Sequence, residues 1–238
     1  MEKPKIGIAT HAHSVIDFDV HFNHCFAFQH WVQNYELKML GYKGLMAAEA
    51  RELMCECAIE EGCSHIFFLD ADHYIPIETL DYLMESKDEA IVSGVINRRW
   101  HPFGQVGWGK NDKEATYIPI RLDLDGRIYE VGVCAFGCTL INLTKLQELK
   151  KPWFRDTCAM KDGALTNIRS DINICDMFRV NGEKVWIDTR VLVGHQGNNL
   201  VVYPQSEDFM NNFKFGYDDA IQLKHNQTGK YAVCSRNL

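Results

Sequence analysis

Ser64-His65-Ile66-Phe67-Phe68-Leu69-Asp70-Ala71-Asp72-His73-Tyr74-Ile75-Pro76 is the stretch on which the reading of this chain turns. Residues 66–69 are apolar without interruption, the pattern of a short strand buried on both faces. Two aspartates end the run, one residue apart. Side chains at i and i+2 of a strand leave on the same side, so both carboxylates can lean into one spot just past its end. Two carboxylates that close repel unless a proton or a cation lies between them. Pro76 suits a first helical turn and predicts a helix over 77–84. Together these features point to a divalent metal at the carboxyl edge of a sheet. The same aspartates also fit turn chemistry, in which an Asp caps the next helix.

Upstream, Lys5-Ile6-Gly7-Ile8-Ala9-Thr10 predicts a first strand. Ligands of open α/β sheets lie beyond the carboxyl ends of such strands, so Thr10 and His11 should border the site. His11, His13, His21, His24 and His30 crowd residues 11–30, but their irregular spacing reads as surface and core histidines rather than a metal cluster. Residues 22–32 predict a helix packing an aromatic face. Residues 46–61 predict another, with Met46, Ala50, Leu53, Met54, Cys57 and Ala58 at helical spacing and Gly62 as its stop. Arg51 flanks that stripe, as a solvated charge or as a phosphate contact.

Downstream, residues 90–96 predict a further buried strand. The alternation gives a mostly parallel sheet with right-handed crossovers. Asn97-Arg98-Arg99-Trp100-His101-Pro102-Phe103 leaves that strand. Arginine forks suit phosphates and Trp suits stacking, but an exposed loop carries the same residues. Residues 104–126 read as loops and a hairpin with an Asp125-Gly126 turn, a small antiparallel insertion. Gly132 and Gly137 lie in a small-residue stretch where a backbone can pass close under a ligand. Residues 169–179 predict the last core helix, capped by Ser170, with Asp171 in its first turn; that acid either complements the helix dipole or serves as a base. A strand at 184–188 and another at 191–193 lead to His195 between two glycines.

Length and composition set limits. The chain has 238 residues, net charge −7, 46% apolar and 24% charged residues, an ordinary globular balance. No apolar run reaches the roughly 20 residues of a membrane span. The acidic balance weighs against a broad nucleic-acid surface. Nine cysteines without a CxxC pair favour reduced thiols and a cytoplasmic setting, and Cys55 with Cys57 lacks the further ligands a zinc site needs. The expected division is a domain over 1–200 and a tail over 201–238, with a helix near 208–223.

Four elements now stand in order: the strand ending Asp70-Ala71-Asp72, the glycine stretch around Gly137, the helix start Ser170-Asp171 and the late His195. This resembles the GT-A fold of nucleotide-sugar glycosyltransferases, most of all the small phage-type enzymes related to glycosyltransferase family 2. The resemblance spans roughly residues 5–197. It implies an α/β, Rossmann-like central sheet and a donor site at Thr10, His11, Asp70, Ala71, Asp72 and Gly137; the residues themselves add Arg51 and Arg98 or Arg99 as expected phosphate contacts. It implies Mn²⁺ or Mg²⁺ held by Asp70, Asp72 and His195, with Asp171 as the base of an inverting transfer. The family usually has an acidic pair at the helix start, and here Ser170 replaces its first member.

The expected activity is transfer of a sugar from a donor such as UDP-glucose to an acceptor hydroxyl, in the cytoplasm (a host's, if the chain is viral). The acceptor could be a modified DNA base, a glycan or a protein, and an oligomer is compatible with the sequence. Two alternatives stand beside this one. The first is a non-catalytic sugar-nucleotide or glycan-binding module on the same fold. The second is a nucleotidyltransferase, which should carry a Gly-rich basic loop where Thr10-His11-Ala12-His13 stands.

Overall fold

The computed structural model describes residues 3–12, 16–99, 104–111, 116–161, 164–197, 201–204, 222–225 and 231–234. In chain order, β1 (Lys5–Ala12) leads to α1 (Phe18–Trp31), β2 (Glu36–Lys43), α2 (Ala47–Glu60), β3 (His65–Leu69), β4 (His73–Tyr74), α3 (Thr79–Met84) and β5 (Ile91–Ile96). A hairpin of β6 (Gly107–Asn111) and β7 (Thr116–Pro119) follows, then β8 (Ile128–Val131), β9 (Val133–Cys134), β10 (Cys138–Asn142) and α4 (Leu143–Gln147). Next, β11 (Thr157–Lys161) and β12 (Ala164–Ile168) pair with each other ahead of α5 (Ser170–Val180), β13 (Val185–Gln196) and β14 (Val201–Val202). A separate pair, β15 (Gln222–His225) and β16 (Tyr231–Cys234), completes the described chain.

The central sheet has the order β14-β13-β5-β10-β3-β1-β2. β1 is parallel to β2 and β3, β13 is parallel to β5, and β10 lies antiparallel between β3 and β5. β2, β1, β3, β5 and β13 therefore all point one way. A small antiparallel sheet, β7-β6-β9, stands apart from it. This is the α/β class that the sequence predicts, a mostly parallel Rossmann-like sheet with an antiparallel insertion.

β3 shows why the apolar run is unbroken. Ile66 and Phe68 join the core beneath α2, α4 and α5, with Ala50, Met54, Leu146, Ile174 and Phe178. Phe67 and Leu69 join the opposite core beneath α1 and α3, with Trp31, Leu80 and Leu83. Alternate side chains thus serve two helical layers, and neither face can carry a polar residue. Trp31 meets Phe67 edge-on at 5.6 Å, while Phe68 packs on Phe136 and Phe154 at 5.9 and 5.6 Å. Gly62, at φ +71°, ends the α2 segment as the sequence predicts.

Several local expectations are corrected. β2 is an unpredicted strand: it holds the sheet edge, half exposed, so its apolar alternation is weak. The aromatic residues of α1 do not share one buried face. Trp31 is buried, while Phe18, Phe22 and Phe26 are exposed. Ser170 is not the cap of α5; Arg169 is the flanking residue, and the Asp156 carboxylate accepts from the Ser170 backbone N–H at 2.8 Å. The two late strands are one, β13, with a register shift between Asp188 and Leu192. The Asp125-Gly126 turn precedes β8 and does not close the β6–β7 hairpin. The expected tail helix lies mostly outside the described residues, and Gln222 and Leu223 are in β15. No helix among the described residues is long and apolar enough to cross a membrane.

Candidate active site

The parallel strands deliver their carboxyl ends to one edge. Thr10 and His11 end β1, Asp70 follows β3, Asn97 follows β5 and His195 sits near the end of β13. Arg51 is in the first half of α2, which starts beyond the end of β2, and Asp171 opens α5, which precedes β13. The crevice beyond such strand ends is where an open α/β sheet receives ligands.

After β3 the chain turns, with the His73 N–H donating to the Asp70 carbonyl at 3.2 Å. β4 then pairs antiparallel with β13, placing His73 opposite His195 and Tyr74 opposite Gly194. The Gln196 N–H donates to the Asp72 carbonyl at 2.8 Å. α1 braces the turn from behind. The Asn23 side chain accepts from the Ile75 N–H at 2.9 Å and donates to the Ile75 carbonyl at 3.0 Å, and His24 Nε2 donates to the His73 carbonyl at 2.8 Å. The histidine-rich segment thus supplies a brace; His30 pairs with Asp81 and His11 with the Leu45 carbonyl, while His13 lies outside the described residues.

Asp72, His73 and His195 each bring one ligand atom within 4.8 Å of the others. His195 Nδ1 donates to the Asn97 carbonyl at 2.8 Å, so in its neutral form the ring turns the lone pair of Nε2 toward Asp72 Oδ2, 3.4 Å away. Two acceptors in that relation need a proton or a cation between them. The His73 ring stacks on His195 at 4.4 Å. It is buried, and among the described residues neither of its nitrogens makes a hydrogen bond, with Nδ1 3.2 Å from Asp72 Oδ1. An unpartnered buried polar group costs about 1–3 kcal/mol, so such a ring calls for a ligand. A carboxylate, two imidazoles and an orphaned buried nitrogen fit a divalent cation.

Gly137 makes room for that ring. A Cβ there would lie 2.3 Å from His73 Cε1 and 2.8 and 2.9 Å from its nitrogens. The Gly137 carbonyl accepts from the Asp70 N–H at 3.0 Å. Buried hydroxyls hold this segment: Thr139 donates to the Ala135 carbonyl at 2.7 Å, and the Ser93 hydroxyl is 2.9 and 3.0 Å from the Ala135 and Cys138 carbonyls.

Charge is unevenly shared. Burial pushes the Asp72 carboxyl up, but the hydrogen bond that a protonated His195 gives it and the positive groups around it, Arg99 among them, outweigh burial and hold it at about 2. Arg99 donates to Asp72 Oδ2 at 2.6 Å. Burial lowers His73 to about 3, with the His195 charge acting in the same direction, so its ring is neutral. Burial raises Asp70, against the pull of Arg51, whose Nη2 is 3.7 Å from Asp70 Oδ1. Burial raises Asp171 too, again opposed first by Arg51.

The structure therefore brings Asp72 and His195 together, and adds His73, which the sequence reading passes over. Asp70 is outside that group and faces Arg51. Arg51 packs over Phe136 at 5.3 Å and acts on both Asp70 and Asp171. Ala71 is in the turn between the aspartates, and Thr10 and His11 pair with Gly41 and Tyr42 of β2 at the same edge. Arg98 is half-buried, with its N–H on the Gly104 carbonyl at 3.0 Å; Trp100, His101, Pro102 and Phe103 lie outside the described residues.

No protein-family model and no curated protein matches this chain. Among solved structures, A197 from STIV superposes with a TM-score of 0.59 at 16% identity, over 85% of this chain and 92% of that one, which shows a shared fold. A glycosyltransferase involved in the glycosylation of the major capsid of PBCV-1 matches at a TM-score of 0.33 and 12% identity, over 63% of this chain and 70% of that one. A UDP-glucose pyrophosphorylase matches at 0.37 and 8% identity, over 78% and 72%. Glycosyltransferases and nucleotidyltransferases thus stand among the structural neighbours, and no reaction is read from overlaps this loose.

Proposed function

We propose that the chain is a metal-dependent glycosyltransferase that moves a sugar from a nucleotide-sugar donor, a UDP-sugar such as UDP-glucose, to an acceptor hydroxyl with inversion. The observation that carries this reading is the meeting of Asp72, His73 and His195 at the carboxyl edge, with Arg51, Asp70 and Asp171 along that edge. Asp72 and His195 would hold Mn²⁺ or Mg²⁺, which when bound stabilises the charge of a departing diphosphate. Arg99 adds a second positive group for phosphate oxygens, and Arg98 stands next to it in the chain. Thr10 and His11 border the base, and Gly137 lies on the donor side of the site, where it seats the His73 ring.

Asp171 takes the proton of the acceptor hydroxyl. Its raised pKa brings it closer to neutral pH, where a general base is most effective, and such a base contributes about 10²–10⁴-fold. The acceptor is a glycan, a protein or a modified DNA base. The net charge of −7 weighs against DNA, whose affinity rests on phosphate neutralisation.

The test is release of UDP from a panel of UDP-sugars with Mn²⁺. Asp171→Asn should cut turnover about 10²–10⁴-fold while UDP still binds, and Asp72→Ala should abolish it. Unchanged turnover in both variants ends this reading. Ser170, which stands where the resemblance has an acid, favours a second one, a sugar-nucleotide-binding module. Thermal stabilisation by UDP with Mn²⁺ and no turnover on any donor would select it.

A further inference from the structure

We propose that His73, rather than Asp70, is the third protein ligand of the cation site, so that one carboxylate and two imidazoles form the set Asp72, His73 and His195. The inference rests on this edge being a cation site, not on the reaction assigned to it.

Three features converge on His73, and a fourth orients His195. Its ligand atom lies within 4.8 Å of those of Asp72 and His195, and Asp70 is not in that group. Among the described residues its buried ring makes no hydrogen bond, with Nδ1 3.2 Å from Asp72 Oδ1, whereas the Asp70 carboxylate has the cationic Arg51 guanidinium 3.7 Å away. Its position is fixed from three sides: by the pairing opposite His195, by the His24 bond to its carbonyl and by Gly137, which leaves the ring its space and no more. Finally, the Asn97 carbonyl occupies His195 Nδ1, so the second imidazole can offer only Nε2. A carbonyl on the distal nitrogen is how metal-binding histidines are commonly oriented.

The donor set implies a metal preference. Mg²⁺ seeks oxygen ligands and keeps its waters, whereas imidazoles suit transition ions. A site with two imidazoles and one carboxylate should take Mn²⁺ in preference to Mg²⁺, and it leaves coordination positions for oxygens of a bound molecule.

The experiment is titration of the full chain with MnCl₂ and with MgCl₂, without nucleotide, by calorimetry and by the electron spin resonance of free Mn²⁺. We expect tighter binding of Mn²⁺, a loss of at least about tenfold in its affinity in His73→Gln, and little change in Asp70→Asn. Because His73 is buried, folding of each variant is checked by circular dichroism. Electron spin echo modulation of Mn²⁺ on the unaltered chain gives a second reading that needs no variant. Two directly bound imidazole nitrogens support the proposal, and one or none overturns it. Loss of affinity in Asp70→Asn with none in His73→Gln overturns it as well, as does absence of Mn²⁺ binding. Two bound nitrogens without turnover of any UDP-sugar would leave this inference standing and remove the glycosyltransferase reading. Turnover with a single bound nitrogen would do the reverse.

Discussion

Arg51 stabilises two carboxylates at once. It opposes the burial that raises Asp70 and Asp171, and its flat guanidinium packs over Phe136. Removing its charge by Arg51→Met takes away a positive neighbour that favours ionised Asp171, so the Asp171 pKa rises further. If Asp171 is the base, the acid limb of the kcat/KM profile moves to higher pH, since a larger share of Asp171 is protonated at any given pH. An acid limb that stays in place in this variant would separate Arg51 from Asp171. Residue type and spacing already single out Arg51, Asp72, Asp171 and His195. They do not single out His73, for a definite reason: in an unbroken strand a residue next to Asp72 points to the opposite side. The turn closed by the His73 N–H on the Asp70 carbonyl breaks that alternation. The one trace in the sequence is a histidine directly after Asp-x-Asp and before the apolar Tyr74-Ile75.

At the level of elements, β3 is the support for everything beyond its end. Phe67 is fully buried and fills the layer between the sheet and α1 through its contact with Trp31. Phe67→Ala should cost about 3–5 kcal/mol, the range for an aromatic core truncation, read as a lower urea midpoint with an unchanged slope. A loss well below that would mean that α1 closes over the gap. β3, β5 and α2 are legible because long apolar patterns and a stop glycine are local. β2 is not, because a half-exposed edge strand has little to bury. The single long β13 is not either: its register shift between Asp188 and Leu192 depends on its neighbour β5. The cap of α5 escapes notice for the same reason, since Asp156 reaches it from outside the helix.

For the whole molecule, two cores on opposite faces of one sheet make the fold a shared consequence of many residues. Acid should weaken it partly through His65. Burial lowers the pKa of His65, with its Nε2 on the Lys87 carbonyl at 2.8 Å. Below the unfolded value of 6.5 the unfolded chain binds the proton and the folded chain resists it, so stability falls as pH falls through the window beneath 6.5. Melting temperatures at pH 7 and pH 5 should show this decline, and His65→Gln, which keeps a donor for Lys87, should flatten it. An equal decline in the variant would place the acid sensitivity elsewhere.

The sequence by itself determined a two-sided α/β sheet with an acidic corner at the end of the unbroken apolar strand at residues 66–69, because apolar periodicity and the two aspartates are properties of neighbours along the chain. The tertiary structure alone decided which nitrogens and oxygens meet there. Those distances come from the pairing of β4 with β13, the brace from α1 and the space left by Gly137, contacts between residues far apart in sequence whose register no local pattern encodes.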